Sequence, residues 1–149
     1  MTSATSPRPT VVVAGVRARA TVQQLRLASI LAGGAVGALL RALVADALPT
    51  ARGGWPWATF AVNIAGAALL AWLTTRLGEM VAPTRYWRFL LGTGFCGALT
   101  TFSTFQVETI RLAKDGHPAT ALAYAAASLA AGMAVAVAAS VVARRRRYG

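Results

Sequence analysis

The chain is predicted to be an all-α membrane protein with four transmembrane helices per subunit, and three observations lead there. Its 149 residues are 56% hydrophobic and only 13% charged, where a soluble domain carries about a quarter charged residues. The apolar residues come in long blocks instead of amphipathic stripes, so lipid is the solvent they match. Short links containing Gly and Pro separate the blocks, as helix hairpins require. A barrel of strands is disfavoured, because the blocks far exceed a membrane strand of about 10 residues and show no alternation of period two.

Taken in order, residues 1–26 are rich in Ser, Thr, Pro, Ala and Arg without apolar periodicity, and are expected to be a disordered, basic N-terminal extension. The uncharged runs that follow cover residues 27–40, 53–75, 89–107 and 116–143. A spanning helix needs about 20 residues at about 1.5 Å each, so the last three qualify alone. The first spans only if extended to about Leu48, which places Arg41 inside the membrane zone, snorkelling to an interface or facing a water-filled cavity. Reading it as a secretory signal, with Arg17, Arg19 and Arg26 ahead of it and Ala45-Asp46-Ala47 as a cleavage site, requires an unusually long segment. The expected spans are therefore about 27–48, 55–76, 87–110 and 118–143, with 144–149 a basic tail. Pro49, Gly53, Gly54 and Pro56 punctuate the first link, Pro83 the second, and Asp115, Gly116 and Pro118 the third.

An even number of spans puts both termini and the second link on one side. That side collects Arg8, Arg17, Arg19, Arg26, Arg76, Arg85, Arg88 and the four arginines 144–147, against Arg52, Arg111 and Lys114 on the other. The excess predicts cytoplasmic termini in a cell membrane. The formal charge of +11 raises nucleic acid as a partner, but the basic residues flank apolar blocks and form no stripe with aromatics, so no nucleic-acid role is expected. Cys96 is the only cysteine, which excludes an intrachain disulfide.

The informative positions are polar ones within the apolar blocks. Thr59, Asn63 and Gly66 share one side of the second helix, and an unpaired amide in hydrocarbon is costly. A helix–helix hydrogen bond would satisfy it equally well. In the third block Gly92, Gly94 and Gly97 precede Thr100, Thr101, Ser103 and Thr104, a density that predicts a broken helix near its middle, around 97–100. Unwound backbone at that depth must be buried in protein or line a cavity, and its carbonyls can hold a cation. The other reading is a glycine-lined packing seam whose hydroxyls bond back to the preceding turn. Phe102 and Phe105 are three apart and can face a common cavity, where the electropositive ring edge can meet a small anion. Glu108 extends the Thr104 side at i+4 near the membrane boundary, where exposure would account for it. Tyr124 and Ser128 interrupt an Ala/Val-rich fourth helix, as hydroxyls acting as packing glue often do.

Together these residues resemble the CrcB/Fluc fluoride channels. The third-helix signature of that family is similar to Gly94-Phe95-Cys96-Gly97-Ala98-Leu99-Thr100-Thr101-Phe102-Ser103-Thr104-Phe105 followed by Glu108. Gly33, Gly34, Gly37 and Arg41 look like its first-helix pattern, and Thr59, Asn63 and Gly66 like its second-helix pattern. The resemblance covers about residues 27–143. It implies an antiparallel dimer of four-helix subunits with two fluoride pores and a structural, untransported sodium ion at the centre. By motif position, Gly97 and Thr100 would give backbone carbonyls to Na+. Asn63 would donate to fluoride and Phe102 and Phe105 would present ring edges to it. Ser103, Thr104, Tyr124 and Ser128 would line the pore, and Arg41 would sit at its vestibule. The implied role is passive export of fluoride from the cytoplasm, relieving its toxicity. The partner is expected to be a second copy or, given the one-sided distribution of arginine, an oppositely oriented paralogue. A proton-coupled exporter would need a titratable residue deep in the bundle, whereas Asp46, Glu79, Glu108 and Asp115 fall near helix ends. A membrane assembly protein is the third reading. An enzyme is not expected, since no nucleophile–base pair, metal-ligand cluster or phosphate loop is present in the sequence.

Overall fold

A computed structural model describes the backbone of residues 9–77 and 85–145 and the side chains of 21–77 and 86–145. Among these residues every element is helical. Helix α1 runs Pro9–Ala47 and α2 Trp57–Leu77. Then come α3 (Arg85–Trp87), a π-helical segment (Arg88–Cys96), α4 (Gly97–Leu99), α5 (Phe102–Lys114) and α6 (Pro118–Arg145).

The start of α1 corrects one expectation. Residues 9–26, expected to be disordered, are helical, while 1–8 lie outside the described residues. Pro9 tolerates the first helical position because its missing N–H would be unpaired there anyway. No proline follows until Pro49, so a helix nucleated in the apolar run can propagate toward the N-terminus. Pro49 also sets the other end, because the residue before a proline is pushed out of the helical region. At 39 residues α1 is about 58 Å long, well beyond the ~30 Å of hydrocarbon.

Thr21–Ala47, Trp57–Leu77 and Pro118–Arg145 are long and apolar enough to cross a membrane. The third span, expected over about 87–110 with a break around 97–100, is a series of shorter helical pieces from Arg85 to Lys114. Gly92, Gly94 and the hydroxyl run after Leu99 weaken regular helix here. The Pro83 link and Glu79 lie outside the described residues, as do Arg146 and Arg147 of the tail.

Helix α1 lies along the π-helical segment and α4, α2 packs on α6 and the π-helical segment, and α5 packs on α6. The α1 contact is backbone against backbone. A methyl group on Gly33 would overlap the Leu90 carbonyl oxygen and one on Gly37 that of Phe95, while on Gly94 it would lie 2.6 Å from the Ile30 carbonyl oxygen. Small residues allow this approach, which replaces hydrophobic driving force with close van der Waals packing. At the opposite end of α2, Trp55 packs edge-on against Phe60 and Tyr124, over a core of Leu112, Ala121 and Tyr124. There the first link meets the α5–α6 turn: Gly53, at φ 72°, lies against the His117 imidazole, where a side chain would collide. Elsewhere large apolar side chains face outward, among them Leu31, Leu122, Leu129 and Met133, each about 70% exposed. Such a surface suits lipid or a second chain and not water.

Candidate functional site

Between α4 and α5 two residues leave the helix: Thr100 at φ −78°, ψ 152° and Thr101 at φ −146°, ψ 117°, both extended. Extended residues at this point remove the last carbonyls of α4 and the first N–H groups of α5 from helical pairing, and in lipid each needs a substitute partner. Several are in place. The Thr100 N–H and hydroxyl both donate to the Cys96 carbonyl, at 3.0 and 2.9 Å. Arg41 Nε donates to the Ala98 carbonyl at 3.1 Å. The Asn63 side-chain amide pairs with Thr101 in both directions: Nδ2 donates to the Thr101 carbonyl at 3.0 Å, and the Thr101 N–H donates to Oδ1 at 2.8 Å. Asn63 thus supplies what a neighbouring strand would supply to an extended residue.

The Thr101 hydroxyl starts α5. It accepts from the Thr104 N–H at 3.2 Å and donates to the Thr104 hydroxyl at 2.9 Å, an N-cap arrangement, and the Ser103 hydroxyl lies 3.4 Å away. On the other side, the Thr100 methyl sits where a side chain on Gly66 would be. That glycine therefore lets the extended residues approach α2.

A cavity of about 340 Å³ opens beside these residues, lined by Asn63, Gly66, Thr100, Thr101, Phe102, Phe105 and Ser128 among apolar neighbours. The Ser128 hydroxyl oxygen is buried without a hydrogen-bond partner, a condition a buried polar group rarely keeps. The Phe102 and Phe105 rings are 6.0 Å apart and tilted by 31°, and Phe102 is 69% exposed. Donor groups and aromatic rings thus converge on one small space, a composition suited to a desolvated anion.

A second polar cluster lies on the α5–α6 side. Glu108 accepts hydrogen bonds on both carboxylate oxygens, from the Thr59 hydroxyl at 2.8 Å and the Tyr124 hydroxyl at 2.9 Å. Tyr124 is fully buried and packs against Phe105, ring centroids 5.2 Å apart.

The residues singled out by sequence therefore fall into distinct places. Asn63, Thr100, Phe102, Phe105 and Ser128 meet at the cavity. Ser103 and Thr104 gather at the N-terminus of α5, and the Tyr124 hydroxyl donates a hydrogen bond to Glu108 without lining the cavity. Gly97 is exposed on α4, with open space where a side chain would be. Arg41 is at the carbonyl end of α4. The Thr59–Glu108 pair escaped sequence reasoning, although both residues stood at i±4 positions from site residues. That spacing was the available signal, and membrane-boundary exposure explained Glu108 too easily.

Residues 28–140 match the family described as CrcB-like protein, Camphor Resistance (CrcB). The chain is 52% identical over 123 residues to the fluoride-specific ion channel FluC 1 of Mycobacterium bovis, covering 81% of this chain and 92% of that protein. It is 47% identical over 121 residues to FluC 1 of Mycolicibacterium paratuberculosis, with the same coverage. To FluC 1 of Streptomyces avermitilis, an organism that also has proteins named FluC 2 and FluC 3, it is 46% identical over 111 residues, 73% of this chain and 88% of that protein. With the two extended residues, the cavity and its donors lying inside the matched region, this chain belongs to the CrcB-like family.

Proposed function

We propose that the chain is a subunit of a fluoride-selective passive channel that lets fluoride leave the cytoplasm and so limits its toxicity. The observation carrying this reading is the convergence of Asn63, Ser128, Phe102 and Phe105 on one cavity; the names of its relatives support it. Those relatives are ion channels, and the chain is not an enzyme.

Fluoride is small and strongly hydrated, so it enters a narrow site only where donors replace its water, and it leaves again only if each contact is modest. Ser128 has an uncommitted hydroxyl. Asn63 spends one amide hydrogen on Thr101 and keeps the other for an anion. The ring edges of Phe102 and Phe105 attract an anion without a buried counter-charge that would trap it. Thr104 and Ser103 extend the polar groups beyond these rings, and the buried Tyr124, hydrogen-bonded to Glu108, packs behind Phe105. Arg41 concentrates anions by its charge.

The subunit would work as an antiparallel dimer. Phe102, Ser103 and Gly97 are exposed beside the extended residues, and irregular backbone at membrane depth needs protein cover. A second copy or an oppositely oriented paralogue would provide it. The one-sided arginines favour a fixed orientation with cytoplasmic termini. Single cysteines at each terminus, in cells lacking any paralogue, would label from one side only; equal labelling from both sides would defeat that orientation.

Structural sodium fits the same region. No group of three or more His, Cys, Asp or Glu side chains among the described residues could hold a metal. The helix end at Leu99 offers backbone oxygens at its negative pole, and open space adjoins Gly97. The Gly97 and Thr100 carbonyls of each chain would hold the ion, which would supply positive charge to the junction of two broken helices.

Fluoride efflux from liposomes containing the purified protein, followed with a fluoride electrode, tests the reading. Rapid fluoride efflux without chloride efflux, abolished by Phe102→Ile, is expected. A well-folded sample that stays silent even with a co-reconstituted paralogue would overturn it.

A further inference from the structure

We propose that the groove between the C-terminal end of α2 and the π-helical segment binds one anionic phospholipid, its phosphate on Arg88 and an acyl chain along Leu70, Leu73 and Leu77. At about 520 Å³ the groove is larger than the 340 Å³ cavity beside Asn63, with which it shares only Leu70. Its wall is Leu70, Leu73, Leu77 and the Phe89 ring, with Thr74 and Thr93 among them, and Gly92 leaves it open: a methyl group there would meet nothing nearer than Leu70 Cδ1 at 3.9 Å. Among the described residues no carboxylate lines it. Among the described residues Arg88 is the only charged one lining it, and the Thr74 hydroxyl donates its hydrogen bond to the backbone of its own helix.

Described arginines nearby carry the same sign of charge. Arg26 of α1 lies over the Phe89 ring, 5.2 Å from its centroid, and its Nε is buried without a hydrogen-bond partner. Arg76, beside Leu77, lies over Trp72 at 6.0 Å. Helix α6 starts at the Gly53–His117 end, so its Arg144 and Arg145 finish at the same pole as the groove. An apolar channel with one guanidinium at its wall, at the arginine-rich pole of a membrane protein, complements an amphiphile with an anionic head. A free anion would leave the leucine wall unused. The site is independent of the conducted ion.

Native mass spectrometry of the detergent-extracted full chain, supplied with dioleoyl phosphatidylglycerol or phosphatidylcholine, tests this. The expected result is one phosphatidylglycerol kept per chain in preference to phosphatidylcholine. Arg88→Gln should lower that preference about fivefold, the size expected of one basic side chain at an anionic lipid surface. Gly92→Leu, which fills the groove, should release both lipids while circular dichroism remains helical. Arg144→Gln with Arg145→Gln should keep the preference. Equal retention of the two lipids by the unmodified chain would overturn the proposal, as would loss of the preference in the tail variant and not in Arg88→Gln. Displacement by glycerol 3-phosphate would make the occupant a soluble phosphate. A change of oligomeric state in Arg88→Gln with lipid retention intact would make it a second copy. Either outcome would also overturn the proposal.

Discussion

Replacing Asn63 with leucine removes both hydrogen bonds that hold Thr101, the donor at 3.0 Å and the acceptor at 2.8 Å, while keeping side-chain volume nearly constant. Two limits frame the cost. If the Thr101 N–H and carbonyl were left buried and unpaired, each would cost about 1–3 kcal/mol, roughly 2–6 in all. Hydrogen bonds measured within membrane bundles are worth less, about 0.6 kcal/mol on average and up to about 1.7, because the altered state finds other partners. Thr101 is only half-buried and adjoins the cavity, so water can take over part of the bonding and the lower limit governs. The expected loss is about 1–3 kcal/mol. Denaturant or thermal titration of the purified protein, read as loss of the monodisperse species, measures it; about 2–4 °C per kcal/mol applies at this chain length. Fluoride efflux should fall more than stability does, since the second amide hydrogen of Asn63 is lost as well. A leucine variant with unchanged stability and undiminished efflux would refute both roles of Asn63: support of the extended residues and donation to the anion.

Three further outcomes follow from the contacts. Arg41→Met deprives the Ala98 carbonyl of its donor and should destabilise by about 1–3 kcal/mol, with Arg41→Lys not fully restoring it because the bond comes from the guanidinium Nε; the same titration checks this. Tyr124→Phe and Thr59→Val each remove one donor from Glu108 and should cost about 1–3 kcal/mol apiece. Measured in a double-mutant cycle, they should be non-additive, since both bonds end on one carboxylate. Gly37→Ala places a methyl group against the Phe95 carbonyl, where backbone cannot yield, and should cost about 1–3 kcal/mol. Gly132→Ala meets nothing nearer than Ile64 Cδ1 at 3.9 Å and should be near neutral; equal loss of folded protein in the two variants would contradict the packing described.

Sequence by itself determined which segments are apolar enough to live in lipid, because run length and charge spacing are properties of one stretch of chain. The α2 and α6 helices fall within two residues of the expected spans, 57–77 against 55–76 and 118–145 against 118–143. Family membership was legible for a similar reason: the glycine, threonine and phenylalanine pattern of 94–105 is itself a local string. The extent of α1 was not, since helix propagation past an uninformative composition depends on what the apolar half nucleates. Only the tertiary structure decided how the polar groups are spent. Asn63 could have bonded any neighbouring helix, and its partner is Thr101, 38 residues away. Glu108 looked like a boundary residue until Thr59, 49 residues away, and Tyr124, 16 away, came to hold it. Arg41 reaches Ala98 across 57 residues. The physical reason is the cost of leaving a polar group unpaired in hydrocarbon: it obliges each to find a partner, while the three-dimensional packing of the helices chooses which one.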